Sequence, residues 1–565
     1  MEKGAPWLKN YGNVPFNLEY PDCTMYELVA KTAWELPNST ALSFMGRSIS
    51  YKELLDGINQ TARAFTAAGV KEGDRVAVCL PNLPQTVFCL YAINSIGAVA
   101  CMIHPLSAEV EISAMLKEAD CSFAIALDQF ADKFAFVKEQ LPALTLIVTS
   151  AADGLGFVKA LAFSITKGRK YKKRIPDFAM SWKEFIKKGF AAKVVKPTAK
   201  AKDAAVILFS GGTTGVTKAI KLSNLNFNAL ALQTEAMCGR PIRSKIMLAA
   251  MPMFHGFGLG VCIHTMMVAG GTSVLVPKFN PKEYAELIKK TRPNYIAGVP
   301  TLFEAITRLK NLEGVRLDCL MGVFSGGDSL SVELKKKMDR FLAEHGADVK
   351  IREGYGTTEC VTASCLTPLH TEREGSIGLP YPDTYYKICA VGTTEELPYG
   401  TEGEICLRGP SVMLGYIGHE EENAAALRTH ADGKVWLHTG DLGYMDEDGF
   451  IYFRQRIKRM IISSGYNIYP SQLENVIDAH NAVQMSCVIG VKDPYKMQKV
   501  KAFVVPKAGI KADEALKEEL IAYCKKNIAR YALPYDIEFR SELPKTGVGK
   551  IAYTVLEKEE NEKQG

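Results

Sequence analysis

A loop rich in glycine, hydroxyl groups and lysine, SGGTTGVTK, spans residues 210–218. Its glycines leave backbone N–H groups unhindered, its threonines add hydroxyl donors, and its lysine adds a positive charge. This combination suits the oxygens of a polyphosphate, so we predict that the loop binds phosphate. The residues expected to contribute are Ser210, Gly211, Gly212, Thr213, Thr214, Gly215 and Lys218.

The loop differs from an ordinary P-loop. A Walker A sequence has lysine directly after its last glycine, whereas two residues separate Gly215 from Lys218 here. The flanking segments 204–209 (AAVILF) and 219–222 (AIKL) have the apolar composition of strands. The pattern predicts a strand, a loop that closes over phosphates, and a second strand; a glycine-rich hairpin turn is the alternative.

The composition is that of a globular protein with several domains. The chain has 565 residues, which is too long for a single hydrophobic core. Its residues are 47% hydrophobic and 23% charged, a composition too apolar for long disordered segments. A formal net charge of +6 gives no reason to expect nucleic-acid binding. The 14 cysteines include no C-x-x-C pair, which favours buried thiols in a reducing cytosol over disulfides or a zinc site.

Two segments bear on location. The N-terminal sequence MEKGAPWLKNYG lacks the apolar region of a secretory signal, so we expect a cytoplasmic protein. The longest apolar stretch, residues 257–277, contains His264 and the pair Gly270–Gly271. This stretch predicts a buried helix, a turn and a strand instead of a transmembrane helix.

A basic segment follows an apolar run between residues 157 and 174. The run 157–165 is apolar, and GRKYKKR (168–174) adds positive charge. We expect residues 157–174 to contact an anionic membrane, peripherally and at its inner face, and a solvated run of charges is the alternative.

Helix and strand patterns alternate along most of the chain. Segment 51–80 predicts an amphipathic helix, a stop at Gly69, a turn at 73–74 and a buried strand. Further predictions are helices 84–95 and 108–119, strands 99–103 and 123–127, and strands near Tyr295 and Cys319. The alternation predicts an α/β fold with a large N-terminal domain of several subdomains, residues 1–455. The remaining residues, 456–565, carry patterns of their own and predict a small, mobile α+β C-terminal domain.

Four more motifs accompany the loop at 210–218. They are GYGTTE (354–359), TGDL (439–442), RIK (456–458) and PKTGVGK (544–550). In this order they resemble the adenylate-forming, or AMP-binding, superfamily of acyl-CoA synthetases, firefly luciferase and nonribosomal-peptide adenylation domains, over nearly the whole chain. The opening PWLKNYGNVPFNLEYPDCT also resembles bacterial long-chain fatty-acid–CoA ligases.

The resemblance implies a site for MgATP. In GYGTTE, Tyr355 is expected to stack on adenine, Thr358 to bind the α-phosphate, and Glu359 to hold Mg²⁺, which prefers carboxylate and phosphate oxygens. Gly356 and Thr357 belong to the same motif. An exposed turn with a solvated glutamate is the alternative.

Other motifs would complete the nucleotide site. Asp441 is expected to accept hydrogen bonds from the two ribose hydroxyls, and Arg456 to reach the ribose and phosphates; a turn aspartate and a solvated arginine are the alternatives. The segment SGGD resembles the stretch under the adenine, and its contributing residues are Ser325, Gly326 and Gly327.

The remaining motifs concern two half-reactions in one cleft. By the resemblance, Lys550 is expected to supply the cation that adenylation needs between a carboxylate and the α-phosphate, and an exposed tail lysine is the alternative. His255, in PMFHGFG, resembles a gate beside the acyl site, with a satisfied core histidine as the alternative. Lys458 resembles the hinge of the C-terminal domain, and Gly465 the glycine past which pantetheine threads.

Three residues depart from the family pattern. Gln455 precedes the hinge arginine where glycine is usual, Arg459 follows the hinge where an acidic residue is frequent, and Gly211 stands where serine is frequent. These changes concern the energetics of the hinge and the stiffness of the loop, and they leave the catalytic groups intact.

The resemblance implies an ATP-dependent acyl-CoA synthetase that uses ATP, Mg²⁺ and coenzyme A on a medium- or long-chain fatty acid. The alternatives are an aryl-acid CoA ligase, an acyl-AMP ligase acting on a carrier protein, and a noncatalytic nucleotide-binding regulator. Gly256, Gly258 and Gly260 alternate after His255, which predicts room for a long acyl tail; close packing of the backbone is the alternative.

Overall fold

The computed structural model describes residues 5–155, 175–210, 217–463, 466–493, 495, 497–547 and 549–564. The segment 157–174, predicted to contact a membrane, lies outside the described residues. So do Gly211, Gly212, Thr213, Thr214, Gly215 and Gly465. Among the helices of the described ranges, none has the length and apolar character that spanning a membrane requires.

The described residues form four sheets. In chain order the strands are β1 (Thr40–Phe44), β2 (Arg47–Ser50), β3 (Arg75–Cys79), β4 (Val99–Met102), β5 (Phe123–Leu127), β6 (Thr145–Thr149), β7 (Ala179–Ser181), β8 (Ala204–Ser210), β9 (Lys218–Ser223), β10 (Ile246–Ala249), β11 (Thr272–Leu275), β12 (Tyr295–Gly298), β13 (Gly322–Ser325), β14 (Ile351–Tyr355), β15 (Cys365–Leu366), β16 (Leu379–Pro380), β17 (Tyr385–Cys389), β18 (Gly403–Arg408), β19 (Gly415–Tyr416), β20 (Leu427–Thr429), β21 (Val435–Met445), β22 (Ile451–Arg456), β23 (Ile461–Ser463), β24 (Tyr466–Ile468), β25 (Val483–Asp493), β26 (Met497–Pro506) and β27 (Asp536–Phe539).

Helices connect and cover these strands. The α-helices span Met25–Glu35, Tyr51–Ala67, Pro84–Ser95, Glu109–Glu118, Lys133–Gln140, Trp182–Lys188, Asn224–Cys238, Met266–Ala269, Pro281–Thr291, Pro300–Ile306, Val332–Glu344, Glu420–Ala426, Pro470–Asp478, Glu514–Asn527 and Tyr553–Gln564. Many begin at a side chain that caps free backbone N–H groups. Ser50, for example, accepts from the N–H of Glu53, whose side chain in turn accepts from the N–H of Ser50.

Two large sheets are parallel in their centres. One has the order β19-β9-β8-β4-β3-β5-β6-β7 and the other β16-β15-β14-β13-β12-β10-β11-β1-β2. Parallel neighbours such as β3 and β4 or β12 and β13 are joined by helices, as the geometry of parallel strands requires. The carboxyl ends of such strands form the edge where open α/β sheets bind ligands.

The other two sheets are smaller. An antiparallel sheet has the order β17-β18-β21-β20, with β22 paired to β21. After residue 456, β24-β23-β26-β25 and β27 form a separate sheet, with two helices over one apolar core and the last helix over another. The predicted α/β fold with a small α+β C-terminal domain is confirmed.

Most predicted elements agree with the structure, and one is displaced. The helix at 51–67, the strand at 75–79 and the helix at 84–95 match their predictions, and the apolar stretch after residue 257 is a helix, a turn and a strand. The strand predicted near Cys319 starts at Gly322 instead. Cys319 lies in the preceding turn, where its carbonyl accepts from the side-chain amide of Asn294.

The two strands predicted to flank the phosphate-binding motif are present, and residues 211–216 between them lie outside the described residues. Strands β8 and β9 pair antiparallel, and Ser210 lies opposite Lys218. Both residues therefore stand at the entrance of the connecting loop.

The alternating glycines after His255 fulfil a different role from the one predicted. A Cβ on Gly256 would lie 1.7 Å from the carbonyl oxygen of Val361, and one on Gly258 would lie 2.2 Å from that of Pro252. Gly258 and Gly260 belong to a buried π-helix, Phe257–Thr265. The prediction of room for an acyl tail is wrong, since backbone carbonyls occupy the space beside Gly256 and Gly258 and the Leu230 side chain occupies the space beside Gly260.

We therefore expect Gly258→Ala to destabilise the protein by about 3 kcal/mol, because the methyl group has no space beside two backbone carbonyls. The measurement is the midpoint of thermal or denaturant unfolding. Gly354→Ala is the matched control, since its Cβ would meet its nearest atom at an ordinary 3.5 Å. Equal stability of the two variants would contradict the packing role.

Candidate active site

A cleft of about 1330 Å³ lies between the carboxyl ends of the parallel strands and the C-terminal domain. Strands β4, β8, β13 and β14 end at this cleft, so residues distant in sequence meet there. The predicted site residues that line it are Ser210, Lys218, His255, Gly327, Tyr355, Gly356, Thr358, Glu359, Asp441, Arg456, Lys458 and Lys550.

Three predicted residues lie beside the cleft instead of in its wall. Ser325 and Gly326 line an adjoining apolar cavity. Thr357 is buried under the motif, where its backbone N–H donates to the Cys360 thiol at the start of a short 3₁₀ helix. These positions support the site without facing its main opening.

Lys550 enters the cleft from the C-terminal domain. Its loop is closed by a hydrogen bond from the N–H of Thr546 to the carbonyl of Lys550 at 2.8 Å. The hydroxyl of Thr301 donates to the carbonyl of Gly549 at 3.0 Å, which joins the two domains. Burial lowers the pKa of Lys550 below its ordinary value, although Asp328 opposes this shift.

Asp441 forms the polar floor of the cleft. The hydroxyl of Tyr355 donates to its Oδ2 at 2.7 Å, and Nε of Arg456 lies 3.4 Å from its Oδ1. Burial raises the pKa of Asp441, while the Arg456 guanidinium acts in the opposite direction. Oδ1 is buried beside the Arg456 guanidinium and accepts no hydrogen bond from the described residues, so its hydrogen-bonding capacity is not used up within the protein.

Glu359 lies at the phosphate end of the cleft. The hydroxyl of Tyr416 donates to its Oε1 at 2.9 Å. Lys218 Nζ lies 4.9 Å from the centre of the Tyr416 ring and 3.7 Å from Oε1 of Glu422. This arrangement keeps a carboxylate and an ammonium group at the mouth of the loop at 210–218, as a cation and a polyphosphate require.

His255 is neutral in this cleft. The N–H of Phe257 donates to its Nδ1 at 3.2 Å, so that nitrogen is an acceptor. Burial and the Lys550 ammonium lower its pKa to about 3. His264, by contrast, is a buried histidine with core partners, since its ring nitrogens hydrogen-bond to Tyr91 and Asn228.

His104 was not among the predicted site residues. It lines the cleft, stacks on Phe254 with ring centres 4.1 Å apart, and faces the Lys550 loop. A Cβ on Gly547 would lie only 2.3 Å from its Nε2, so glycine is needed at this contact. The sequence signal was a polar residue just after the buried strand β4.

Gln455 and Arg459, two departures from the family pattern, have contrasting surroundings. The Gln455 side chain lines the cleft, is 1% exposed, and its amide oxygen and nitrogen bond to no described residue. Arg459 instead pairs with Glu474 inside the C-terminal domain and stacks on Tyr553. The exposed Lys458 lies between the two domains.

An apolar cavity adjoins the cleft behind Gly326 and Gly327. It extends between the helix at 224–238, the π-helix and the sheet. Its deeper wall is formed by Cys238, Ile242, Met247, Val261, Thr265 and Met266. The site therefore joins a charged opening to an apolar interior.

The sequence matches known proteins along most of its length. The family model of the AMP-binding enzymes matches residues 29–417, and the model of the AMP-binding enzyme C-terminal domain matches residues 472–550. The chain belongs to the AMP-binding enzyme family. The predicted family is confirmed.

Relatives of this AMP-binding enzyme include a long-chain-fatty-acid–CoA ligase of Bacillus subtilis (strain 168), 35% identical over 100% of this chain and 99% of that protein. One from Salmonella typhimurium (strain LT2) is 33% identical over 96% of each. The structure is similar to ATP-bound MatB from Rhodopseudomonas palustris, with a TM-score of 0.81 and 25% identity over 94% of this chain and 98% of that one. The predicted enzyme class, an acid–thiol ligase, is confirmed, and the roles of individual residues stay predictions.

We expect Gln455→Leu to leave the stability of this AMP-binding enzyme equal or higher, because it removes a buried amide that has no described partner. If the amide binds nucleotide, the same change weakens ATP binding about fivefold, the value of one hydrogen bond. Calorimetric titration with ATP measures this effect. Gln233→Leu is the control, since the Gln233 amide donates to the Pro382 carbonyl and its loss should lower stability without changing ATP affinity. Unchanged ATP affinity in Gln455→Leu would exclude a contact between the Gln455 amide and the nucleotide.

Proposed function

We propose that the protein is an ATP-dependent fatty-acid–CoA ligase. The observation that carries the proposal is the position of the Lys550 ammonium at the junction of the charged cleft and the apolar cavity. A Cβ on Gly327, which borders both spaces, would lie 3.4 Å from Cε of Lys550. An acid whose tail points into the cavity would present its carboxylate at this junction, and because the cavity measures about 40 Å³, a long tail requires its side-chain wall to move.

The residues present fit MgATP and divide its parts between them. Tyr355 and Asp441 would hold the adenosine, since Oδ1 of Asp441 is a buried acceptor without a described hydrogen-bond donor. Glu359 would hold Mg²⁺, which neutralises phosphate charge when bound. Ser210 and Lys218 would face the phosphates. ATP-bound structural neighbours, among them MatB from Rhodopseudomonas palustris, support this nucleotide.

The reaction has two steps. In the first, a carboxylate oxygen attacks the α-phosphorus of ATP, and pyrophosphate leaves to give acyl-AMP. In the second, the sulfur of coenzyme A attacks the acyl carbon, the thiol gives up its proton, and AMP leaves. Lys550 opposes the repulsion between two anions in the first step. The neutral His255 adds no charge at this point, which suits a gate between the steps.

We infer a long aliphatic acid as the substrate. The cavity, about 40 Å³ in volume, is lined in part by Met247 and Met266, whose flexible side chains can rearrange around an aliphatic chain. The names of full-length relatives support this choice. A feruloyl-CoA synthase of an Amycolatopsis species, 31% identical over 91% of this chain, supports an aryl acid as the second candidate. A cytoplasmic location and membrane contact through 157–174 stay predictions.

Lys550→Ala should lower the rate of acyl-AMP formation about 100- to 1000-fold, the cost of removing one group that stabilises a developing anion. Thioester formation from supplied acyl-AMP should be nearly unchanged, because no anion approaches phosphate in that step. Pyrophosphate release and CoA-thioester formation measure the two steps separately. Equal losses in both would assign Lys550 a general structural role.

The pH profile gives a second test of Lys550. Its pKa lies below the ordinary value, so adenylation should fall as the pH rises through that lowered pKa and the ammonium loses its proton. Lys550→Arg keeps its charge to higher pH, so its alkaline decline in kcat/KM should move upward. An identical alkaline limb in both proteins would show that another group titrates.

Chain-length preference tests the cavity. We expect kcat/KM for wild type to rise with chain length, since each buried CH₂ contributes about 0.8 kcal/mol. Val261→Phe should shorten the preferred acid and spare butanoate, because Val261 lines the cavity. Val110→Phe, at a position 62% exposed, is the matched control. Aryl acids that outperform every aliphatic acid would favour the second candidate.

A further inference from the structure

A buried cluster of metal-binding side chains lies in the small antiparallel sheet, outside the cleft. Cys406 on β18 lies opposite His438 on β21, and Glu404 precedes Cys406 by two positions on the same face. His438 Nδ1 is 2.8 Å from Glu404 Oε2 and 3.5 Å from Cys406 Sγ. The three ligand atoms all lie within 4.8 Å of one another.

A second thiol reaches this cluster from β17. Cys389 packs with Cys406 against Trp436 and lies directly opposite Glu404 in the pairing of β17 with β18. Both cysteines are fully buried. Three donor groups, a sulfur, an imidazole nitrogen and a carboxylate oxygen, are therefore already close together, and the Cys389 sulfur on the neighbouring strand is the candidate for a fourth.

The surroundings resemble the outer layer of a metal site. His430 Nε2 lies 2.9 Å from His438 Nε2, so it can orient the ring of His438 through the nitrogen that faces away from the cluster. Glu404 Oε1 accepts from the N–H of Gly440 at 3.0 Å, which fixes the carboxylate. His430 Nδ1 is buried and has no partner among the described residues.

We propose that Cys389, Cys406, His438 and Glu404 bind a structural zinc ion. Zinc favours four ligands of these types in a tetrahedron, at about 2.0–2.3 Å. Ligand atoms of such a tetrahedron lie about 3.3–3.8 Å apart, which the Nδ1 to Sγ distance of 3.5 Å already satisfies. The ion replaces the two thiol protons and the proton on Nδ1, and the Nδ1 to Oε2 distance lengthens by about 0.5 Å.

The role of this ion is structural because four protein ligands leave no position for a substrate. The ligand Glu404 holds Gly440, and the next residue is Asp441 at the floor of the cleft. The zinc ion thus joins β17 and β18 to the strand that carries the cleft aspartate. The alternative for the same residues is a metal-free chain of hydrogen bonds from His430 through His438 to Glu404.

The test is the metal content of the full-length protein, purified without chelator and dialysed. We expect about one zinc per chain by elemental analysis for wild type, and almost none for Cys389→Ser and Cys406→Ser. Cys89→Ser, which removes a buried cysteine of another region, is the matched control and should keep its zinc. A wild type without zinc, or Cys406→Ser with full zinc, would overturn the proposal.

A spectroscopic measurement covers the case in which the serine variants fold poorly. Wild type is stripped with a chelator and reconstituted with Co²⁺, and we expect thiolate charge-transfer bands together with the visible bands of tetrahedral cobalt. Adding Zn²⁺ to the stripped wild type should also raise its unfolding temperature, since an ion that binds only the folded state stabilises it. Absence of the cobalt bands in folded wild type would leave only the hydrogen-bonded cluster.

Discussion

The burial of one ammonium group organises the cleft. Lys550 loses hydration when its loop docks, and this loss lowers its pKa. Asp328, Asp441 and Glu359 compensate in part, and the anionic phosphates of a nucleotide would compensate further. The charge balance around Lys550 therefore depends on what occupies the cleft, and the Thr301 to Gly549 hydrogen bond holds its loop against the large domain.

Asp441 connects this electrostatic constraint to the fold. It lies on β21 opposite Arg456, the last residue of β22, and accepts from Tyr355 at the end of β14. One buried carboxylate thus links a parallel sheet, an antiparallel sheet and the segment that leads to the C-terminal domain. Because each partner offsets part of its desolvation, removal of any of them changes the charge balance for all.

The sequence predicted the parts of the site that local motifs specify. Tyr355, Glu359 and Asp441 stand in short motifs of fixed spacing, and the structure brings them together. Alternating apolar patterns likewise predicted the helix at 51–67 and strands β3 and β8. The boundary between the domains at residues 455 and 456 stays a prediction, and β22 continues through Arg456.

What the sequence missed depends on contacts between distant segments. His104 faces Gly547 across more than four hundred residues, so neither position reveals the other. Gly256 was misinterpreted because the carbonyl that crowds it belongs to the distant Val361, whereas Gly258 is crowded by the nearby carbonyls of Met251 and Pro252. Cysteine spacing predicts no zinc site, and that expectation stays a prediction; the proximity of Cys389 and Cys406 arises from strand pairing, which spacing along the chain does not reveal.

The surroundings of Arg459 limit how the two domains can turn relative to each other. Its guanidinium is anchored to Glu474 and to the ring of Tyr553, so residue 459 is fixed to the C-terminal domain, while Arg456 is fixed in a strand of the large domain. Only Ile457 and Lys458 lie between these anchors. Two residues have four soft backbone dihedral angles. Any rotation of the C-terminal domain therefore has few degrees of freedom, and these dihedral angles determine its path.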